Sequence, residues 1–200
     1  MELLSITFKL GDLTFDYNSV VVITYLLISF GALLLNKLTV GKSNKLLFEC
    51  YRDSPLNILT YIRLFTHSIG HTNWDHFLHN FLIILLVGPM IEEKYGSMNL
   101  LIMLLITSFV IGVFNVLFDN YNLKGASGNV YMLIVLSSFA NINNNNIPIT
   151  VILICIFYIA GELKDSLIDK KSSTYHDGHL LGAVCGLIFG VYFLSHTSFF

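Results

Sequence analysis

Gly125-Ala126-Ser127-Gly128 is followed without a break by Asn129-Val130-Tyr131-Met132-Leu133-Ile134-Val135-Leu136. The run that opens at Ser127 stays apolar to Ala140 and stops at an asparagine-rich tract, residues 141–146. As a helix it rises about 21 Å, short of the roughly 30 Å of a bilayer's hydrocarbon core. With the tract at one interface, Ser127 begins its helix about 9 Å below the other. Non-helical backbone at that depth has to line protein or water, so residues 119–126 are expected to form a loop dipping into the slab beside an aqueous cavity. Tyr131, one turn after the serine, shares its face.

Composition agrees with a membrane setting. The chain has 200 residues, 54% hydrophobic and 12% charged, with mean hydropathy +0.70, which fits a single polytopic membrane domain. A net charge of −2, without a basic patch interleaved with aromatics, gives no basis for nucleic-acid binding. Cys50, Cys155 and Cys185 lack metal-ligand spacing and read as small packing residues. The first apolar run has neither a basic lead nor a small-residue cleavage pattern, so it reads as a retained helix.

Apolar runs and their polar breaks give an all-α fold of six membrane helices, at about 20–38, 74–94, 98–118, 127–140, 147–160 and 178–195, between short tails at 1–19 and 196–200. The connection 39–71 is too apolar for a plain linker and is expected to fold as a structured loop at the membrane surface. Each crossing reverses direction, so the second, fourth and sixth helices start from the same side. Trp74 anchors the interface and places Asn80 about 9 Å deep, and His179 lies about 6 Å inward of Tyr175. Three sets of polar residues therefore converge at similar depth, where polar groups are expensive and mark function.

Their chemistry is complementary. A serine hydroxyl becomes nucleophilic once a base takes its proton, and His179 is the candidate base for Ser127. Negative charge then develops on the former carbonyl oxygen. His76 and Asn80, spaced i, i+4 on one helix face, and the Ser127 N–H at a helix N-terminus are candidate oxyanion donors. Tyr131 can pack its ring on the imidazole. Gly178, Gly182, Gly186 and Gly190 form a ladder that lets the fourth and sixth helices approach.

These residues resemble the rhomboid intramembrane serine proteases over about 63–190. Phe65-Thr66-His67 with His71, His76 and Asn80 looks like that family's loop-to-second-helix motif. Gly125-x-Ser127-Gly128 with Tyr131 looks like its nucleophile motif, and His179-x-x-Gly182-x-x-x-Gly186 like its sixth-helix motif. The resemblance implies a six-helix rhomboid-like bundle and a Ser127–His179 dyad with no acidic third member, needing neither metal nor other cofactor. It implies an oxyanion hole aided by His76 and Asn80, and Glu92 stabilising the cytoplasmic end of the second helix. Arg63 matches the arginine of a Trp-Arg pair, but Ile62 replaces the tryptophan, so the first loop is expected to pack differently. The implied activity is endopeptidase cleavage of transmembrane protein substrates by a multi-pass protein, in contact with membrane lipid, of the cell membrane, its site open to the extracytoplasmic side. The charge pattern opposes that orientation: of eleven Lys and Arg, only Lys9 and Lys94 fall on the side the family makes cytoplasmic.

Rival readings are weighed on the same residues. Taken alone, Gly-Ala-Ser-Gly is more often a small-residue helix contact than a nucleophile. His71 reads as a structural loop residue, His79 as turned about 100° from Asn80, and His176 as a solvated loop residue. A metal site from the histidines lacks a His-Glu-x-x-His pattern. The lipase elbow fails because position 129 is asparagine. The non-enzyme rival is a catalytically silent rhomboid-like protein that binds transmembrane clients.

Overall fold

The computed structural model describes residues 5–10, 13–119, 121–140, 149–154, 156 and 176–197. In chain order these form strands β1 (Ser5–Leu10) and β2 (Leu13–Asn18), then helices α1 (Val20–Leu38), α2 (Ile58–Thr66), α3 (Trp74–Tyr95), α4 (Ser97–Phe114), α5 (Ser127–Ser137), α6 (Ile149–Ile154) and α7 (His176–Thr197). Among the described residues, four helical segments are long and apolar enough to cross a membrane: Val20–Leu38, Trp74–Tyr95, Ser97–Asp119 and Asp177–His196. The fold is a mostly helical membrane bundle. The expected fifth helix beyond residue 156 and the charged loop after it lie outside the described residues.

α5 sits at the centre. It is apolar all round, so it has no face to give to water or lipid, and Val130, Met132, Leu133, Val135 and Leu136 are all buried. It packs along α7, with α3 and α4 alongside, and α1 packs on α3. Leu78, Leu82, Leu86 and Ile188 point outward from α3 and α7 and are exposed, as lipid-facing residues must be.

Two devices fix α3. Pro89 lies inside the helix and has no N–H, so the Leu85 carbonyl one turn earlier loses its helical donor. The Tyr17 hydroxyl replaces it at 3.0 Å. Burial, followed by the nearby Glu92 charge, pushes the Tyr17 pKa up to about 12, so it remains a donor. Glu92, in the last turn of α3, accepts from Ser19 Oγ (2.5 Å), the backbone N–H groups of Val21 and Val22, and Ser97 Oγ (2.7 Å). One carboxylate thus satisfies N–H groups at the start of α1 and fastens α1 to the α3–α4 turn.

The N-terminal segment departs from the expected tail. Its described residues form an antiparallel hairpin with Ser5 opposite Asn18 and Leu10 opposite Leu13, and the hairpin carries Tyr17 to α3. The connection 39–71 contains a π-helical turn at Asn44–Phe48 and helix α2, as its apolar content requires.

Candidate active site

Ser127 is the first residue of α5. The loop before it is held by backbone bonds in both directions between Cys50 and Leu123 (2.8 and 2.9 Å), by Lys124 Nζ on Glu49 Oε2 (2.7 Å), and by the Gly125 N–H donating to the His67 carbonyl at 2.9 Å. Gly125 has φ +122°, and a Cβ there would lie 2.6 Å from His76 Cε1 and Nε2. Only glycine lets the His76 ring rest on this loop.

The glycines of α7 meet the backbone of α5. A Cβ on Gly182 would overlap the Gly128 carbonyl, and one on Gly186 would lie 2.5 Å from the Met132 carbonyl oxygen. The two backbones therefore touch, and Gly178 lines the same small cavity as Ser127, Gly125 and Gly128. One turn below Ser127, the Tyr131 ring stacks on the His179 imidazole with centroids 4.4 Å apart and planes 13° apart. His179 thus lies on the α7 face that packs against α5.

Other expected residues are placed differently. Asn80 is buried, and its Nδ2 donates to the His76 carbonyl of its own helix at 2.9 Å. Neither Asn80 nor His76 lines the Ser127 cavity. Local back-bonding within the turn competes with any role pointed at a ligand. His71 hydrogen-bonds through Nδ1 to the Ile69 carbonyl at 3.0 Å, sits edge-on to His76 and Phe77, and is tilted against Phe81. Burial, then the neighbouring His76, lowers its pKa to about 4. Arg63, 2% exposed, pairs with Asp53 at 2.9 Å, donates to the Leu59 carbonyl and lies over the Tyr51 ring. Tyr51 covers the guanidinium in a loop whose position 62 is isoleucine.

Two residues at the site have no role of their own in the sequence reading: Asn129, and His67, which figures there only as part of the loop motif. Asn129, 2% exposed, bridges Tyr25 of α1 and Ser108 of α4. An asparagine inside a fully apolar helical run is itself the signal, because an amide in that setting must find partners. His67 contacts the Ser108 carbonyl through Nε2 at 2.9 Å, and burial drives its pKa down to about 4. Among the described residues, no group of His, Cys, Asp and Glu is arranged to hold a metal ion.

Fold and site together define a polytopic helical membrane protein with a serine at the head of its central helix and a histidine on the helix packed against it. The rhomboid domain model matches residues 59–196, well over half of the chain, and the chain belongs to the rhomboid family. No individually curated protein matches it.

Proposed function

We propose that this protein is an intramembrane serine endopeptidase that cuts transmembrane protein substrates in or near the bilayer, with Ser127 as nucleophile and His179 as base. The observation that carries the reading is the Tyr131–His179 stack, which holds the imidazole against α5 one turn from the serine. Family membership supports it, as does the glycine contact between α5 and α7. Ser127 Oγ attacks the scissile carbonyl as His179 takes its proton. The tetrahedral intermediate collapses, the C–N bond breaks, and the amine leaves with the proton from His179. Water then adds to the acyl-enzyme, giving its proton to His179, and the acid is released as the proton returns to Ser127. The Ser127 N–H at the start of α5 and the His76 ring on the Gly125 loop are the candidate donors to the oxyanion. Asn80 Nδ2 keeps a second hydrogen beside the one bonded to the His76 carbonyl, so it remains a candidate donor as well. Substrate has to unwind locally, since a helix hides its carbonyls in its own hydrogen bonds. The enzyme belongs in the cell membrane, its site facing the extracytoplasmic side.

The test is labelling of the purified protein by a fluorophosphonate, together with cleavage of a transmembrane substrate in proteoliposomes. Both are expected to vanish in Ser127→Ala and His179→Ala and to survive chelation. Cleavage that persists in Ser127→Ala, or wild-type protein that neither labels nor cleaves, overturns the reading in favour of a silent client-binding protein.

A further inference from the structure

Strands β1 and β2 alternate strictly between apolar and polar residues. Their register pairs Ile6 with Tyr17, Phe8 with Phe15 and Leu10 with Leu13, and between these Ser5 with Asn18, Thr7 with Asp16 and Lys9 with Thr14. Directly opposed residues of an antiparallel pair lie on the same face, and so do residues two apart along a strand. One face of the hairpin is therefore formed by Ile6, Phe8, Leu10, Leu13, Phe15 and Tyr17, and the other face is polar throughout. A period of two kept through both strands is the pattern of a sheet with one side in an apolar medium and one in water.

Tyr17 shows which way the apolar face is turned. Ser19, just before α1, donates to Glu92 in the last turn of α3, and this marks one end of the bundle. The Tyr17 hydroxyl donates instead to the Leu85 carbonyl, seven residues before Glu92 and so about 10 Å further into the slab. Leu86, next along α3, is 72% exposed on the lipid-facing side of that helix. The face that bears Tyr17 is thus turned toward the interior of the membrane and continues the lipid-facing surface of α3. Among the described residues, no helix packs along the hairpin.

We propose that the hairpin is a lipid-binding element, lying in the membrane interface at the end of α3 far from His76, with its apolar face set into the boundary between acyl chains and headgroups. A two-stranded hairpin is marginal in water, so an apolar face of this extent needs a cover. Bulk hydrocarbon is not its place, because the outer edges of the two strands keep N–H and C=O groups that need water or headgroups as partners. The boundary meets both demands, and it takes up an apolar face to a depth of about 5–10 Å, the range over which Tyr17 reaches along α3. The polar face gives no preference for anionic lipid, since the charge of Lys9 is offset by that of Asp16. The leaflet thereby holds in place the strand that delivers Tyr17 to the carbonyl left open by Pro89.

The experiment reads tryptophan fluorescence from the full chain in phosphatidylcholine nanodiscs, which leave both membrane faces open to the buffer. Trp74 is the only tryptophan of the chain, so Trp74→Phe supplies a silent background. In it Phe8→Trp and Phe15→Trp report the apolar face, and Thr7→Trp reports the polar one. The two apolar-face variants are expected to emit at shorter wavelength than Thr7→Trp and to be quenched severalfold more by phosphatidylcholine brominated near the top of its acyl chains. Iodide in the buffer is expected to give the reverse order. Replacing half of the lipid by phosphatidylglycerol is expected to leave the lipid quenching unchanged, and quenching that requires the anionic lipid overturns the proposal. Equal quenching at positions 7 and 8 overturns it too, as an unanchored tail gives that result. So does a Phe8→Trp signal that neither agent quenches, the mark of a second copy or another protein on this face. If Phe8→Trp disturbs the strand pairing, Phe15→Trp on the facing strand decides.

Discussion

Gly182 is the residue on which the approach of α7 to α5 turns most directly, because its missing Cβ is the space the Gly128 carbonyl occupies. A backbone oxygen at the head of α5 cannot step aside without moving Ser127. Gly182→Val is therefore expected to cost about 3 kcal/mol or more of stability, the upper range for overpacking, and to slow fluorophosphonate labelling at the same time. Val184 lies two residues away and is exposed, and Val184→Leu is expected to stay within about 0.5 kcal/mol of the parent. Detergent-denaturation free energies and labelling rates of the two variants check this. Equal stability would mean that the two helices have no need to touch. The glycine ladder was legible as a close-packing signal. Which carbonyls it meets was not, because the rotation of one helix about another depends on side chains from both.

At the scale of elements, α3 depends on partners that come from the N-terminal hairpin and α1. Tyr17→Phe removes the donor that replaces the missing Pro89 N–H and leaves the Leu85 carbonyl bare in an apolar setting. The expected loss is about 1–3 kcal/mol, the cost of an orphaned buried acceptor, read as a shift in detergent-denaturation free energy. In a Pro89→Ala background the backbone N–H gained at position 89 restores the helical bond, and the loss is expected to shrink. An undiminished loss there would show that Tyr17 acts through something other than that carbonyl. A proline within an apolar helix is legible as a missing hydrogen bond. Its repair by Tyr17, 68 residues before the Leu85 carbonyl, is not, since nothing local pairs the two.

For the whole molecule, the two buried histidines set an acid limit. His67 and His71 have folded-state pKa values of about 4, below the ordinary value of 6.5 that applies once the chain unfolds. Between those values the unfolded chain binds protons that the folded chain refuses, so their stabilisation is fully present above pH 6.5 and is lost as pH falls toward 4. The full loss is on the order of 3 kcal/mol for each histidine. Unfolding free energy in detergent is expected to fall between about pH 6.5 and 5, where most carboxylates stay ionised, and a flat profile there would contradict neutral burial. From the sequence alone came the membrane class and the order of serine and histidine along the chain. These follow from hydropathy and from periods of a few residues, which are local properties. The tertiary structure decided which way each polar group faces. Asn80 turns back on its own helix, and Asn129 is oriented by a tyrosine 104 residues away, because a hydrogen bond takes its direction from a partner that only the packed bundle brings within reach.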